Sequence, residues 1–330
     1  VIDDLMIEIM QFVPFPKIGR LCHAVESCKY YGELPDNLTY EGTVKLHGTN
    51  LAVVQEAPDG PIAVQSRNRF ITPLADNCGS AAFVMARESD FLELFASVRS
   101  RTELAVVAKI VVSGEGVSLK LTQPVFLFGE FVGRGVQKGV GVSAFDRFMV
   151  LFDVVVGNRR VPFTEKCDAR GILNVNNFKT WTLNVPRDDI EGANERADAI
   201  AEEVGADCPV ARALGKPGKG EGVVWRCKDH PSSRLWFKSK CTEHSVSAPV
   251  RKGRGAAEEF AERFVTPARL RQAADAGHTL MGQFVQWVVE DVMTEEGSCL
   301  SPEDSVAFRK AVGARAAAGM SPALREARRR

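Results

Sequence analysis

The sequence has no surplus charge with which to attract a polyanion, because 42 lysines and arginines are matched by 42 aspartates and glutamates over 330 residues. A globally basic nucleic-acid binder is thereby excluded, and any such binding has to rest on a local cluster. The sequence also lacks a C-x-x-C pair and any paired zinc-ligand spacing, although eight cysteines are present (Cys22, Cys28, Cys78, Cys167, Cys208, Cys227, Cys241 and Cys299). Reduced, mostly buried thiols are therefore expected, rather than a zinc module. No apolar run is long enough to span a bilayer and no signal peptide is visible, so no membrane partner is expected. The expected location is the cytoplasm, a host's if the protein is viral, or an organelle if a targeting peptide has been removed ahead of Val1.

What is present suffices for a substantial core: 45% of residues are hydrophobic and 25% charged, and the length suggests two domains. Short β-branched or apolar segments at Tyr40 to Lys45 and Leu51 to Gln55 flank the turn-forming His47-Gly48-Thr49-Asn50. An Asp59-Gly60 turn leads into a third strand, Ile62 to Ser66, which delivers Arg67 to a loop; Phe70 to Gly79 reads as having left the strand. Ser80 to Arg99 has helical spacing, with Phe83, Val84, Phe91, Leu94, Phe95 and Val98 as its buried stripe. Glu103 to Gly116 fits helix and strand equally. Pro124 to Val132 and Phe148 to Val156 read as strands, Gly133 to Gly141 as a mobile loop without the G-K-[ST] ending of a phosphate loop. Strand Phe178 to Val185 and helix Asp188 to Val204 follow, then a glycine-rich loop, Gly215 to Gly222.

The chemistry centres on Lys45. A lysine at a strand end is ordinarily a solvated cation. To act as a nucleophile it must give up its proton, which desolvation or neighbouring positive charge promotes. Those neighbours are found downstream: between Arg226 and Arg254 eight basic residues face two acidic ones, a local surplus of six positive charges. Lys238 and Lys240, beside Trp236 and Phe237, sit two apart, which on a strand puts both ammonium groups on one face. Glu130 stands in the apolar PVFLFGEFV, where a carboxylate needs a partner or a job. Glu221 stands at the entrance of another strand.

Lys45-Leu46-His47-Gly48-Thr49-Asn50 resembles the nucleotidyl-attachment motif K-x-H-G-T-N of the RNA ligase 2 branch, which includes phage nick-sealing and kinetoplastid editing ligases. DNA ligases and capping enzymes usually carry K-x-D-G there. Arg67, Phe128-Gly129-Glu130, Phe152-Asp153-Val154, Glu221-Gly222-Val223-Val224 and Lys238-x-Lys240 follow in the order of that family's successive motifs, over about residues 40 to 245. One departure is Val44, where family members often carry an acidic residue.

The resemblance implies an α+β protein: an antiparallel-sheet nucleotidyltransferase domain over 1–248, then a small all-α RNA-binding domain over 249–330. RKGRG at 251–255 reads as the linker, and helices are expected over Ala256 to Phe264, Pro267 to Asp275, Leu280 to Met293 and Pro302 to Ala318, the last capped by Ser301 and followed by a disordered basic tail. Phe264 to Leu270 is similar to the segment that opens the helical domain of the phage ligases, and no β-barrel pattern is present. The resemblance further implies ATP and Mg2+ (or Mn2+) as cofactors. Lys45 would become a lysyl-adenylate, with Lys238 and Lys240 neutralising the α-phosphate and Glu221 near the metal and the attacking lysine. Glu130 would bind the ribose hydroxyls and Phe152 would stack on adenine; Arg67 and Asn50 would hold ribose or phosphate oxygens, and His47 and Asp153 match further family positions. The implied partner is RNA, a nicked RNA duplex or RNA-containing duplex, with the enzyme a monomer. A capping guanylyltransferase, a DNA ligase, and a nucleic-acid binding protein without catalysis are the alternatives.

Overall fold

The computed structural model describes residues 10, 12–28, 36–76, 78–102, 105–112, 115–165, 167, 171–244, 256–295 and 302–327. The chain forms two units, the first built from Val1–Phe15 and His47–Phe178, the second from Pro16–Leu46 and Lys179–Arg330. The division falls inside the motif, between Leu46 and His47. The second unit starts with α1 (Leu21–Ser27) and β1 (Asn37–Lys45).

The first unit then contributes β2 (Thr49–Gln55), β3 (Ile62–Ser66), β4 (Phe70–Ile71), α2 (Ser80–Met85), α3 (Glu88–Arg101), β5 (Ala105–Val112), β6 (Glu115–Thr122), β7 (Val125–Val132), β8 (Phe148–Val156), β9 (Arg159–Val161) and β10 (Ile172–Asn174). A seven-stranded sheet runs β10-β8-β7-β2-β3-β4, with β9 paired to β8, and β5 and β6 form a separate ribbon. All pairs but β10·β8 are antiparallel. Strand alternation sends Leu51, Val53, Leu127, Phe131, Met149 and Leu151 into a core with Phe83, Phe91, Phe95 and Val98 of the two helices. Ala52, Val54, Phe126 and Phe128 face the other way, where Val13 and Phe15 pack on them.

The second unit resumes with β11 (Trp181–Pro186), α4 (Ile190–Ala206), α5 (Pro209–Ala213), β12 (Gly222–Cys227) and β13 (Phe237–Lys240), and its sheet is ordered β11-β1-β12-β13. Asp189 caps α4 through the Gly192 N–H at 3.1 Å. Ala193, Ala197, Ala201 and Val204, on one side of α4, are buried, and their small side chains let helix and sheet approach closely. Tyr40, Val44, Val223, Trp225 and Phe237 make the buried face of the sheet. Helices α6 (Ala256–Phe264), α7 (Pro267–Asp275), α8 (Met281–Glu295) and α9 (Pro302–Ala327) close the unit around Phe260, Phe264, Phe284, Val288, Val292, Phe308 and Val312.

The α+β class, the antiparallel sheets and the helical C-terminal segment are as expected. Several details differ for local reasons. Ser80 to Arg99 is two helices, because Arg87 leaves helical geometry (φ −126°, ψ 22°), its guanidinium lying 3.8 Å from the Phe83 ring centroid and donating to the Phe83 carbonyl. Phe70 and Ile71 still pair with Gln65 and Val64, since Ile71 is buried and Phe70 meets the Phe12 ring at 5.8 Å. The ambiguous segment after Glu103 is a strand, and α9 continues through Pro322 to Ala327. The linker at 251–255, Ser301 and Arg328 to Arg330 lie outside the described residues. Cys28, Cys78, Cys167, Cys208, Cys227 and Cys241 are free thiols, as expected, and burial pushes the Cys28, Cys78, Cys208 and Cys227 thiols up. Cys22 departs from the expectation: it is disulfide-bonded.

Candidate active site

In the second unit the site is a row across three strands. Lys45 ends β1 and is in register with Gly222, which begins β12; Gly222 is in register with Lys240, which ends β13. Directly opposed residues of an antiparallel sheet share a face, so the two lysines project to one side with no side chain between them. Glu221 joins them: its Oε2 accepts from Lys45 Nζ at 2.7 Å and its Oε1 lies 3.2 Å from Lys240 Nζ. The carboxylate is 3% exposed, and its backbone carbonyl accepts the Cys241 N–H at 3.0 Å. Buried in this way, it is held by charge on both oxygens. Gly222 itself has φ +153°, and a Cβ there would run into the Ser239 carbonyl, so the row requires glycine.

Lys238, on the same face two residues before Lys240, has a different partner. Its Nζ lies 3.3 Å from Glu295 Oε2 on α8, and its backbone N–H donates to the Gly19 carbonyl at 2.9 Å.

The first unit gathers groups of another kind. Asn50 is in register with Glu130, on the face that carries Ala52, Phe126 and Phe128. Glu130 Oε1 accepts the Gly48 N–H at 3.0 Å, and Gln137 Nε2 donates to the Gly48 carbonyl at 3.3 Å, so both ends of the motif's glycine are held. A Cβ on Gly48 would strike the Phe131 carbonyl. The β7–β8 register shifts between Phe128 and Gly129, opposite Asp153 and Leu151, which leaves Phe152 as the extra residue of a bulge. Phe152 is half-buried, its ring 5.1 Å from Phe15 at an interplanar angle of 65°. Arg67 is half-buried in the β3–β4 turn, which Ser66 organises by donating to the Arg69 carbonyl and accepting the Arg69 N–H. His47, half-buried, leads from β1 into β2. Asp153 is buried and accepts from Arg160 Nε at 3.0 Å, a pairing that ties β8 to β9.

The structure thus joins Lys45 and Lys240 through Glu221, with Lys238 on the same strand face as Lys240 but held by Glu295, and separately places Asn50 and Glu130 on one face with Phe152 packed on its aromatic cluster. Sequence reasoning missed Gln137 and the charged residues of the C-terminal helices; Gln137 sits seven residues beyond Glu130 in a loop, with no periodicity to mark it.

The model of the RNA ligase family matches residues 38–240. The chain belongs to the RNA ligase family. Every motif residue named above, from Lys45 to Lys240, falls inside the matched stretch. Solved RNA ligases of Naegleria gruberi are similar: variants with AMP and Mn and with ATP and Mn, and the protein with pyrophosphate, each at 16% identity and TM-score 0.45, covering 72% of this chain and 58% of theirs. The chain therefore spans less than two thirds of the length of those ligases. No curated protein matches it.

As to a metal, no group of three or more histidine, cysteine or acidic side chains could hold one among the described residues of this RNA ligase family member. Glu221 is the carboxylate beside the lysines. One carboxylate suits a magnesium ion that arrives with substrate phosphates and keeps several waters, rather than a preformed cage.

Proposed function

We propose that the chain is an ATP-dependent RNA ligase that joins a 3′-hydroxyl to a 5′-phosphate, with nicks in an RNA-containing duplex as its substrate, acting as a monomer. The observation that carries this reading is the Lys45–Glu221–Lys240 row: a lysine at a strand end, bound to a buried carboxylate and facing a second lysine across a bare glycine. A purely structural ion pair would not need two lysines competing for one buried carboxylate.

In this reading Glu130 binds the ribose hydroxyls and Phe152 stacks on adenine, while Arg67 and Asn50 hold ribose or RNA phosphate oxygens. Lys45 Nζ gives up a proton, for which Glu221 Oε2 is within hydrogen-bond reach, and bonds to the α-phosphorus as the bond to the β-phosphate oxygen breaks and pyrophosphate leaves. Lys240 and Lys238 neutralise the charge on the five-coordinate phosphorus. A magnesium or manganese ion held by Glu221 and the phosphates would supply further charge neutralisation. The AMP then passes to the RNA 5′-phosphate, and the neighbouring 3′-hydroxyl displaces it. Asp153 serves by anchoring the bulge that presents Phe152, His47 by turning the chain from β1 into β2, and residues 249–330 form the domain that grips RNA.

The test is incubation with magnesium and α-labelled ATP or GTP, followed by denaturing electrophoresis of the native chain and Lys45→Ala. Label from ATP that survives denaturation and vanishes in the variant is expected; label from GTP alone would indicate a capping enzyme, and none from either a binding protein.

A further inference from the structure

The lysines of the reactive face divide by what holds them. Lys45 and Lys240 are held by Glu221 of their own sheet, whereas Lys238 is held by a helix beyond the 38–240 stretch of the family match. That contact belongs to a larger network. Glu295 Oε2 also lies 3.4 Å from Arg269 Nη2, Arg269 Nε lies 2.6 Å from Asp291 Oδ2, and Lys17 Nζ lies 3.1 Å from Asp291 Oδ1. Arg269 further donates to the Phe264 carbonyl at 3.0 Å, and Lys17 stands 4.8 Å over the Trp287 ring. The side chains are 8% exposed for Lys238, 14% for Glu295, 12% for Arg269 and 1% for Asp291, so water screens them little.

Asp291 and Glu295 are one helical turn apart on α8, and that helix is rooted by Phe284, Val288 and Val292, all fully buried. Glu295 is therefore a carboxylate on a rigid support. An ammonium has three N–H donors, so Lys238 can donate to Glu295 and to a phosphate together. A long, flexible lysine gains most from such a fixed partner, because its aim is set before the substrate arrives.

We infer that Glu295 is a positioning residue for Lys238, and that the helical segment consequently takes part in transfer of the nucleotide to Lys45 and not only in gripping RNA. The inference rests on the ligase reading proposed above. It is tested with the full chain by single-turnover formation of the lysyl-nucleotide at varied ATP, without RNA. Glu295→Gln should lower the maximal rate about tenfold while the half-saturating ATP concentration changes less than about threefold, because the lost interaction acts on the charge of the transition state. Glu295→Asp should recover part of the rate, and in a Lys238→Met background Glu295→Gln should add less than about twofold, since the two residues act as a unit.

Glu295→Gln reacting at the native maximal rate, with or without a lower melting temperature, overturns the inference and leaves the network a structural staple. Should that variant not fold, Glu295→Ser decides in its place, and a native rate there overturns the inference equally. A native chain that takes no label at all overturns the ligase reading instead, and the inference with it.

Discussion

The four-stranded and the seven-stranded sheets both carry candidate site residues on the face turned away from their main hydrophobic core, but the chemistry of those residues is opposite. The four-stranded sheet carries two lysines on one buried carboxylate, with a glycine in the middle of the row, and a third lysine on the same face held by Glu295 of α8. The seven-stranded sheet carries a carboxylate, an amide and an aromatic ring, with the carboxylate holding a backbone N–H. The cationic groups are thus placed on one scaffold, and neutral or acidic groups on another. Each sheet has a glycine whose replacement would strike a neighbouring carbonyl, Gly222 against Ser239 and Gly48 against Phe131. The contrast teaches that the strand period supplies the faces, while individual residues at strand ends supply the chemistry.

The sharpest way to break the contrast is Gly222→Ala. It forces a side chain into a positive-φ position against backbone and pushes Glu221 off the lysines, and it should cost about 1–3 kcal/mol of stability in a urea titration. Lysyl-nucleotide formation should fall about a hundredfold. Labelling at the native rate would show that the three-strand row is not the reactive site.

Glu130→Gln probes the other sheet. The amide oxygen can still accept the Gly48 N–H, so melting should move little, while loss of the anion should raise the half-saturating ATP about tenfold at a nearly unchanged maximal rate. A fall in maximal rate instead would place Glu130 with the reactive groups. Phe152→Leu keeps an apolar side chain against Phe15 but removes the flat ring; nucleotide affinity should weaken by about 1 kcal/mol, toward the low end for stacking, with the melting temperature preserved. Unchanged affinity with lower stability would make Phe152 a core residue only.

The smallest effect concerns pH. His23 accepts the Arg20 N–H on Nδ1 at 3.2 Å and so is needed neutral; burial, with lesser contributions from Arg20 and Lys238, lowers its pKa from 6.5. A lowered histidine pKa means that the unfolded chain binds more protons, so the stability it contributes is present above 6.5 and is lost as pH falls through the folded value. His23→Gln should flatten that loss by about 1 kcal/mol or less in denaturant titrations between pH 7 and 5. An identical pH dependence in the variant would remove His23 from the account.

Much of this was legible beforehand because it is local. Strand alternation marked β1, β2, β3, β7 and β8; Ala256 to Phe264 and Pro267 to Asp275 were bounded to the residue, the second with Pro267 at its first position after the Thr266 cap. The order of Lys45, Glu130, Glu221, Lys238 and Lys240 marked the candidate site through its resemblance to the family's successive motifs. Helix breaks were less legible: nothing in the periodicity of residues 80–99 signals that Arg87 prefers the face of Phe83 to the helix.

The sequence by itself determined which residues of the main strands alternate inward and outward and where most helices lie, because those follow from residue type and short spacing, while the candidate site residues were marked by the order of motifs that resembles the family's. Only the tertiary structure decided that Glu221 holds two lysines at once, that Phe152 stands in a bulge, and that Lys238 answers to Glu295 rather than to Glu221. Lys45 and Glu221 are 176 residues apart, and partnership over such distances is set by strand register and helix packing, which no local pattern encodes.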